Sequence, residues 1–398
     1  MKALLVATTF PRWPRDSGPA PFVFHLAKHL NKILPVNVLA PHFPGARTEE
    51  TMDGVEVRRF RYLAPERLET LADGRGLQNH IRGSFRAKLE AAALVAAEFF
   101  ALRRLLAAGE YTAVNAHWLV PSGALAAACK KSFGYRLVLT VHAADLFLLL
   151  RIPLGKGLLR WIVGRADAVF CVSESILGGL VAVTGPSEKF RILPMGADLE
   201  MFSPARDKPA ARQRLGLPPG FLILFAGKLT EKKGVSFLLQ AFAKVKDHPA
   251  SPSLVVLGEG ILSDALKSEA RRLGIADRVL FPGAKPQDEL SEYYRAADVV
   301  AAPSVRDASG EAEGMPVVIL EALASGAPVI ATEVCSAPES LKGRGVIEIP
   351  SADVEALAQA LQRAMDGNLP PVDRAAVEKF NWPEIARHYA AALRGDAP

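Results

Sequence analysis

Short apolar runs of strand length alternate with helix-patterned segments along this chain, and the alternation runs through twice. The first half carries KALLVA, VNVLAP, YTAVNA, RLVLTVHA, ADAVFCVS and RILPMG, with a Pro/Gly-rich loop and the helix-patterned FVFHLAKHLNKI after the first of them. The second half carries FLILFAGKL, SLVVLGEG, RVLFPGA, ADVVAAPS and APVIATEV. Strands that are apolar on both faces are buried on both faces, which calls for a parallel sheet covered by helices. The expected fold is α/β, with two doubly wound Rossmann-like domains facing across a cleft. At 398 residues the chain is also too long for one ordinary core. PARDKPAARQRLGLPPG, rich in Pro, Gly and charge, is the linker candidate. In open α/β sheets ligands lie beyond the carboxyl ends of the strands. Gly18, His142, Lys228, Lys233 and Glu313 all fall there.

Several classes are set aside by composition. No apolar run reaches the roughly 18 residues that a membrane helix needs. The apolar stretch Ala3 to Ala7 is short and ends in Thr-Thr, so it reads as a first strand rather than a signal peptide, and a cytoplasmic protein is expected. Cys129, Cys171 and Cys335 have no paired spacing and read as reduced core thiols. The net charge of +6 is uneven, +8 over residues 1–200 and −2 over 201–398. An acidic lipid surface, an anionic substrate or nucleic acid could supply the attraction, and no nucleic-acid motif is present. In residues 75–108, Arg82, Arg86, Lys88, Arg103 and Arg104 flank an Ala-rich apolar stretch. That segment reads either as a surface for acidic membrane lipid or as a helix packed on the first domain. His25 and His29 have i,i+4 spacing but no third ligand nearby in sequence, which favours packing over a metal. GEGILS, residues 258–263, has Ser263 where a dinucleotide fingerprint needs its third glycine.

Two segments carry chemistry. In EGMPVVILEALASGAPVIA, Glu313 to Ala331, Pro316 suits the first turn of a helix and forces its predecessor out of the α region. Glu313 and Gly314 are therefore expected on the entering loop and Glu321 on a short helix. The amides of Met315, Val317 and Val318 would face an anion there, beside a carboxylate suited to hydroxyls. The segment reads equally as a core helix with one solvated and one capping glutamate. In GKLTEKKG, Lys228 follows an apolar strand and Lys233 precedes the next helix, so both could reach one diphosphate. A solvated basic turn is the competing reading.

EGMPVVILEALASGAPVIAT resembles the E-x7-E element of the retaining glycosyltransferases of family 4, which have the GT-B fold, and GKLTEKKG resembles their G-R-L-x-x-K-K-G element. RILPMGADLEMF, LVVLGEG, RVLFPGAKPQDELSEYYRAADVVAAPS, LTVHAADLF and NAHWLVPSGALAA are similar to further family motifs, in the same order. The resemblance implies an acceptor-binding domain over 1–195, joined by a helix over 380–398 that crosses back, and a donor-binding domain over 196–379. It implies a retaining hexosyltransferase that moves a sugar from a nucleotide-diphosphate sugar to a hydroxyl of a glycan or lipid-linked acceptor, in polysaccharide or glycolipid synthesis. Glu313 would meet the sugar hydroxyls, Glu321 the ribose, Lys228 and Lys233 the diphosphate, His142 the donor sugar, and Gly18 the phosphates. Gln287 and Asp288 would lie near the base, and the expectation leans to UDP over GDP or ADP. No cofactor or metal is implied, and no D-x-D motif occurs. The chain departs from the family pattern in having Lys228 for arginine, a single Gly18 in the first loop, and Pro316 for glycine. A sugar-nucleotide epimerase or phosphorylase of this architecture and a non-catalytic sugar-nucleotide binder are the rival readings.

Overall fold

The computed structural model describes residues 1–14, 16, 20–72, 85–307 and 313–396. The chain divides into two compact units, Met1–Met195 with Trp382–Pro398, and Gly196–Asn381.

The first unit holds an eight-stranded sheet of β1 (Ala3–Ala7), β2 (Val36–Pro41), β3 (Glu49–Met52), β4 (Val55–Phe60), β5 (Ala113–His117), β6 (Arg136–Val141), β7 (Ala168–Cys171) and β8 (Phe190–Ile192). Its order is β3-β4-β2-β1-β5-β6-β7-β8. Every residue of β1, β2 and β5 is buried, so these runs show no exposed polar face, and the few polar residues among them, Asn37, Asn115 and His117, are buried as well. Pairing is parallel except for the β3–β4 hairpin at the sheet edge, which the apolar rhythm does not announce. There Met52 faces Val55 across a two-residue turn, with Asp53 and Gly54 both at positive φ. Asp-Gly is the preferred pair for such a turn, and the signal was present in EETMDGVEV.

The C-terminal helix Trp382–Arg394 belongs to this unit, and Trp382, Ile385, Ala386, Tyr389, Ala390 and Leu393 form its buried face. Arg136 Nε donates to the Ala392 carbonyl at 2.6 Å, and Arg394 Nη2 to that of Ile33 at 3.0 Å. The Trp382 ring stacks on His25 at 5.8 Å and on His29 at 6.5 Å, so both histidines of helix Pro21–Leu30 serve packing. Burying a large apolar side chain contributes about 1.5–3 kcal/mol, which is what ties this distant segment to the first sheet.

The second unit holds β9 (Leu222–Ala226), β10 (Ser253–Leu257), β11 (Val279–Gly283), β12 (Val299–Ala302), β13 (Val329–Thr332) and β14 (Val346–Ile349), all parallel, in the order β11-β10-β9-β12-β13-β14. Leu222, Leu224 and Ala226 enter one core while Ile223 and Phe225 enter the other, so helices cover both faces. Residues 204–220, the linker candidate, lie inside this unit rather than between the two. They contain the helix Lys208–Arg214, capped by Asp207, which accepts from the Ala210 amide at 3.0 Å. Lys208 Nζ donates to the Ala297 carbonyl at 2.8 Å. The Pro and charge that suggested a linker thus mark a capped surface helix.

The three cysteines are buried free thiols. Among the described residues no helix is long and apolar enough to cross a membrane. Among the parallel strands of each sheet the order reverses once, between β1 and β5 and between β9 and β12, which is where ligands bind in doubly wound sheets.

Candidate functional site

In the second unit the loop after β9 is built from backbone. The Lys233 amide donates to the Thr230 carbonyl at 3.1 Å, and the Val305 amide, from the loop after β12, to the Lys232 carbonyl at 2.9 Å. Gly234 has φ +66°, and a Cβ there would stand 1.8 Å from the Pro303 carbonyl oxygen. Glycine is required at that spot because two loops cross in backbone contact. Gly258, after β10, meets the Gly227 carbonyl oxygen in the same way, again at 1.8 Å. The glycines of GKLTEKKG and LGEG therefore bring three strand ends together.

That closeness sets the charges. Glu313 Oε2 lies 3.2 Å from Lys233 Nζ, and Oε1 lies 4.0 Å from Lys232 Nζ. The Glu313 and Lys233 side chains are each 16% exposed. Burial pushes the Glu313 carboxyl up, but Lys233, Lys232 and Lys228 outweigh it and hold the carboxyl below its usual range. Among the described residues, none donates a hydrogen bond to Oε1. Lys233 and Glu313 thus come together as expected residues of one site, but as an ion pair, and Lys232 joins them unforeseen. The signal for Lys232 was its adjacency to Lys233: the 3₁₀ turn Glu231–Lys233 turns both side chains toward Glu313.

Gly314 follows Glu313 on the loop, and the helix Val318–Ala324 carries Glu321. The first amides of a helix have no partner within it. Here the Ile319 amide donates to the Pro316 carbonyl at 3.2 Å, which leaves Met315, Val317 and Val318 ahead of the first closed turn. The Met315 side chain is buried in the core. Glu321 is 7% exposed and accepts from the Tyr294 hydroxyl at 2.9 Å. Burial pushes its carboxyl up to about 7, against the pull of that hydrogen bond. Gln287 and Asp288 open the helix Gln287–Ala296, which follows β11.

In the first unit His142 stands at the end of β6, immediately before the helix Ala143–Arg151. The Trp118 ring lies 4.8 Å from it and the Phe22 ring 5.4 Å. Its Nε2 lies 3.2 Å from Nδ1 of His117, the last residue of β5. Burial pushes the His142 imidazole down to about 3. Burial and the neighbouring His142 push His117 well below the usual range, so both rings are neutral. Asp145, three residues on, is buried and accepts from the Leu119 amide, which pins the loop after β5. His117 was not foreseen, because a histidine at a buried strand end reads as core. Gly18 lies outside the described residues, as does Arg82.

Residues 17–201 match the family model described as Glycosyltransferase Family 4, and residues 220–367 match that described as Glycosyl transferases group 1. The GDP-mannose-dependent alpha-(1-6)-phosphatidylinositol monomannoside mannosyltransferase of Mycobacterium tuberculosis is 29% identical over 74% of this chain and 79% of its own. The D-inositol 3-phosphate glycosyltransferase of Segniliparus rotundus is 32% identical over 73% of this chain and 68% of its own. The crystal structure of Anabaena HepE in complex with UDP matches with a TM-score of 0.74 at 18% identity, over 99% of this chain and 100% of that one. The architecture is that of GT-B glycosyltransferases.

Proposed function

The chain belongs to the group 1 glycosyltransferases, and we propose that it is a retaining, metal-independent hexosyltransferase. In this reading a sugar moves from a nucleotide-diphosphate sugar to a hydroxyl of a glycan or lipid-linked acceptor, in cell-surface polysaccharide or glycolipid synthesis. One observation carries it: Lys232, Lys233 and Glu313 converge from the loops after β9 and β12, at the reversal of strand order. Lys228 also acts on the Glu313 carboxyl, and this gathering of ammonium groups at strand ends suits a diphosphate.

The lysines and the amides of Met315, Val317 and Val318 stabilise the departing diphosphate, the task a cation performs elsewhere. When the diphosphate takes over Lys232 and Lys233, Glu313 is freed to accept from the sugar hydroxyls. Glu321, held by Tyr294, accepts from the ribose. His142 is assigned to the donor sugar. The acceptor oxygen bonds to the anomeric carbon as the bond from that carbon to the diphosphate oxygen breaks on the same face. The acceptor proton leaves with the diphosphate, and no covalent sugar–enzyme bond forms. UDP is proposed as the nucleotide. The name of the mycobacterial relative makes GDP the competitor, and Asp288 could meet a guanine.

The helix Phe85–Ala107 supports work at the inner face of an acidic membrane. It exposes Phe85, Leu89 and Phe100 together with Arg86, Lys88, Arg103 and Arg104, while its Glu90 and Glu98 are buried. Apolar side chains flanked by cations suit a headgroup layer.

Transfer assays with Glu313→Ala test the reading. Loss of transfer with retained nucleotide binding is expected, and wild-type turnover would refute the assignment of Glu313.

A further inference from the structure

Two neighbouring strands each end on a histidine in the first unit, and the pair is more constrained than either residue alone. β5 and β6 run parallel with His117 opposite Thr140, which brings His142, just past the end of β6, beside His117. The Tyr389 ring, from the C-terminal helix, lies parallel to the His117 ring at 6.3 Å, tilted by 8°. Tyr389 is itself tied to Thr140 by a 3.0 Å hydroxyl–hydroxyl hydrogen bond, and the Asn115 amide donates to the same Thr140 oxygen at 3.1 Å. The His117 ring therefore has little freedom to turn.

Only one proton can occupy the 3.2 Å gap between His117 Nδ1 and His142 Nε2. If His142 donates it, His117 must carry its own hydrogen on Nε2. That atom is buried, and among the described residues no atom pairs with it. A buried N–H without an acceptor is costlier than a bare ring nitrogen. If His117 donates instead, Nε2 of His117 is only an unused acceptor, and the one remaining N–H of the pair is that of His142 Nδ1.

We propose that His117 is a positioning residue for the transfer reaction: it donates from Nδ1 to Nε2 of His142 and so fixes His142 as the tautomer whose one N–H is at Nδ1. His142 then meets its partner as a hydrogen-bond donor of set orientation, not as a base. The donor hydrogen would be directed at a sugar hydroxyl or its ring oxygen. The inference rests on the glycosyltransferase reading for the role of His142, but the tautomer itself does not.

The experiment uses the full-length protein in three forms, wild type, His117→Phe and His117→Asn, with ¹⁵N-labelled histidine. The His142 signals are assigned by their loss in His142→Gln. The expected wild-type spectrum shows a protonated Nδ1 and a bare Nε2 for His142. Phenylalanine keeps the ring that stacks on Tyr389 but removes the donor, while asparagine places an N–H near the position of Nδ1. Expected for His117→Phe is a kcat lower by roughly 10- to 100-fold, the cost of a misplaced group, with KM for the donor sugar nucleotide within about twofold. His117→Asn should recover most of that loss. A wild-type His142 protonated at Nε2 would overturn the proposal whatever the kinetics. A His117→Phe enzyme with unchanged kcat but an altered His142 tautomer would keep the hydrogen bond and remove His142 from the reaction, which strikes the functional reading instead. Should the Phe variant fail to fold, the wild-type spectrum and the Asn variant still decide.

Discussion

The two units share a doubly wound architecture but gather opposite chemistry at their strand ends. In the second, Lys233, Lys232 and Lys228 act on the carboxylate of Glu313, on loops locked together by glycine. In the first, two neutral histidines lie among Trp118, Phe22 and Tyr389, and the Asp145 carboxylate, three residues past His142, accepts from a backbone amide. The same doubly wound sheet thus offers a place for an anion in one unit and a desolvated hydrogen-bonding surface in the other. The difference teaches that topology decides where a site forms, and the loop sequences decide what it can hold.

The comparison breaks first at Glu313. Glu313→Ala should lower kcat by roughly 10²- to 10³-fold, the usual cost of removing a preorganised polar contact, while diphosphate affinity holds or rises as Lys232 and Lys233 are released. Steady-state kinetics with nucleotide titration checks both parts. Next comes His142→Phe, for which a roughly 10²-fold fall in kcat is expected from the loss of a preorganised hydrogen-bond donor. The two units should separate under salt. KM for the donor should climb with ionic strength because exposed charge attraction is screened, whereas the deficit of the His142 variant should not change.

Stability gives a smaller effect. Glu98 is fully buried in helix Phe85–Ala107, and burial pushes its carboxyl up to about 7, with Ser122 pulling the other way. Its folded value lies above the ordinary one. Its stabilising contribution is therefore complete below about pH 4.5 and is lost as pH rises to about 7. Glu98→Gln should remove that decline and gain up to about 3 kcal/mol at pH 8, measured by denaturant titration at both pH values. A wild-type stability that rises over this range because of Glu98 would contradict the placement of its carboxyl. Smallest is the lipid surface: Arg103→Glu should weaken sedimentation with anionic vesicles by about 1 kcal/mol or somewhat more, with transfer to a water-soluble acceptor unchanged.

Much of this could be read from residue order. Runs such as LILFA and ALLVA are apolar on both faces, so their burial and parallel pairing follow from composition alone. The β3–β4 hairpin escaped because Glu49–Met52 is largely exposed at a sheet edge and lacks an apolar run, although Asp53-Gly54 marked its turn. β14 was missed for a similar reason: VIEI is short and interrupted by an acid. At the site, residues after strand ends were legible because that position is fixed by topology. Pairing was not. That Lys232 turns toward Glu313 depends on a 3₁₀ turn, and that His117 meets His142 depends on strand register, neither of which is written in a motif.

The claim on which the rest depends is that Lys233 and its neighbours hold a diphosphate. Thermal unfolding of wild type and Lys233→Ala with UDP, GDP and ADP tests it directly, since a ligand that binds only the folded chain raises its apparent stability. The account requires that at least one diphosphate raises the wild-type midpoint and that Lys233→Ala loses the shift. A Lys233→Ala protein that responds as fully as wild type would contradict it.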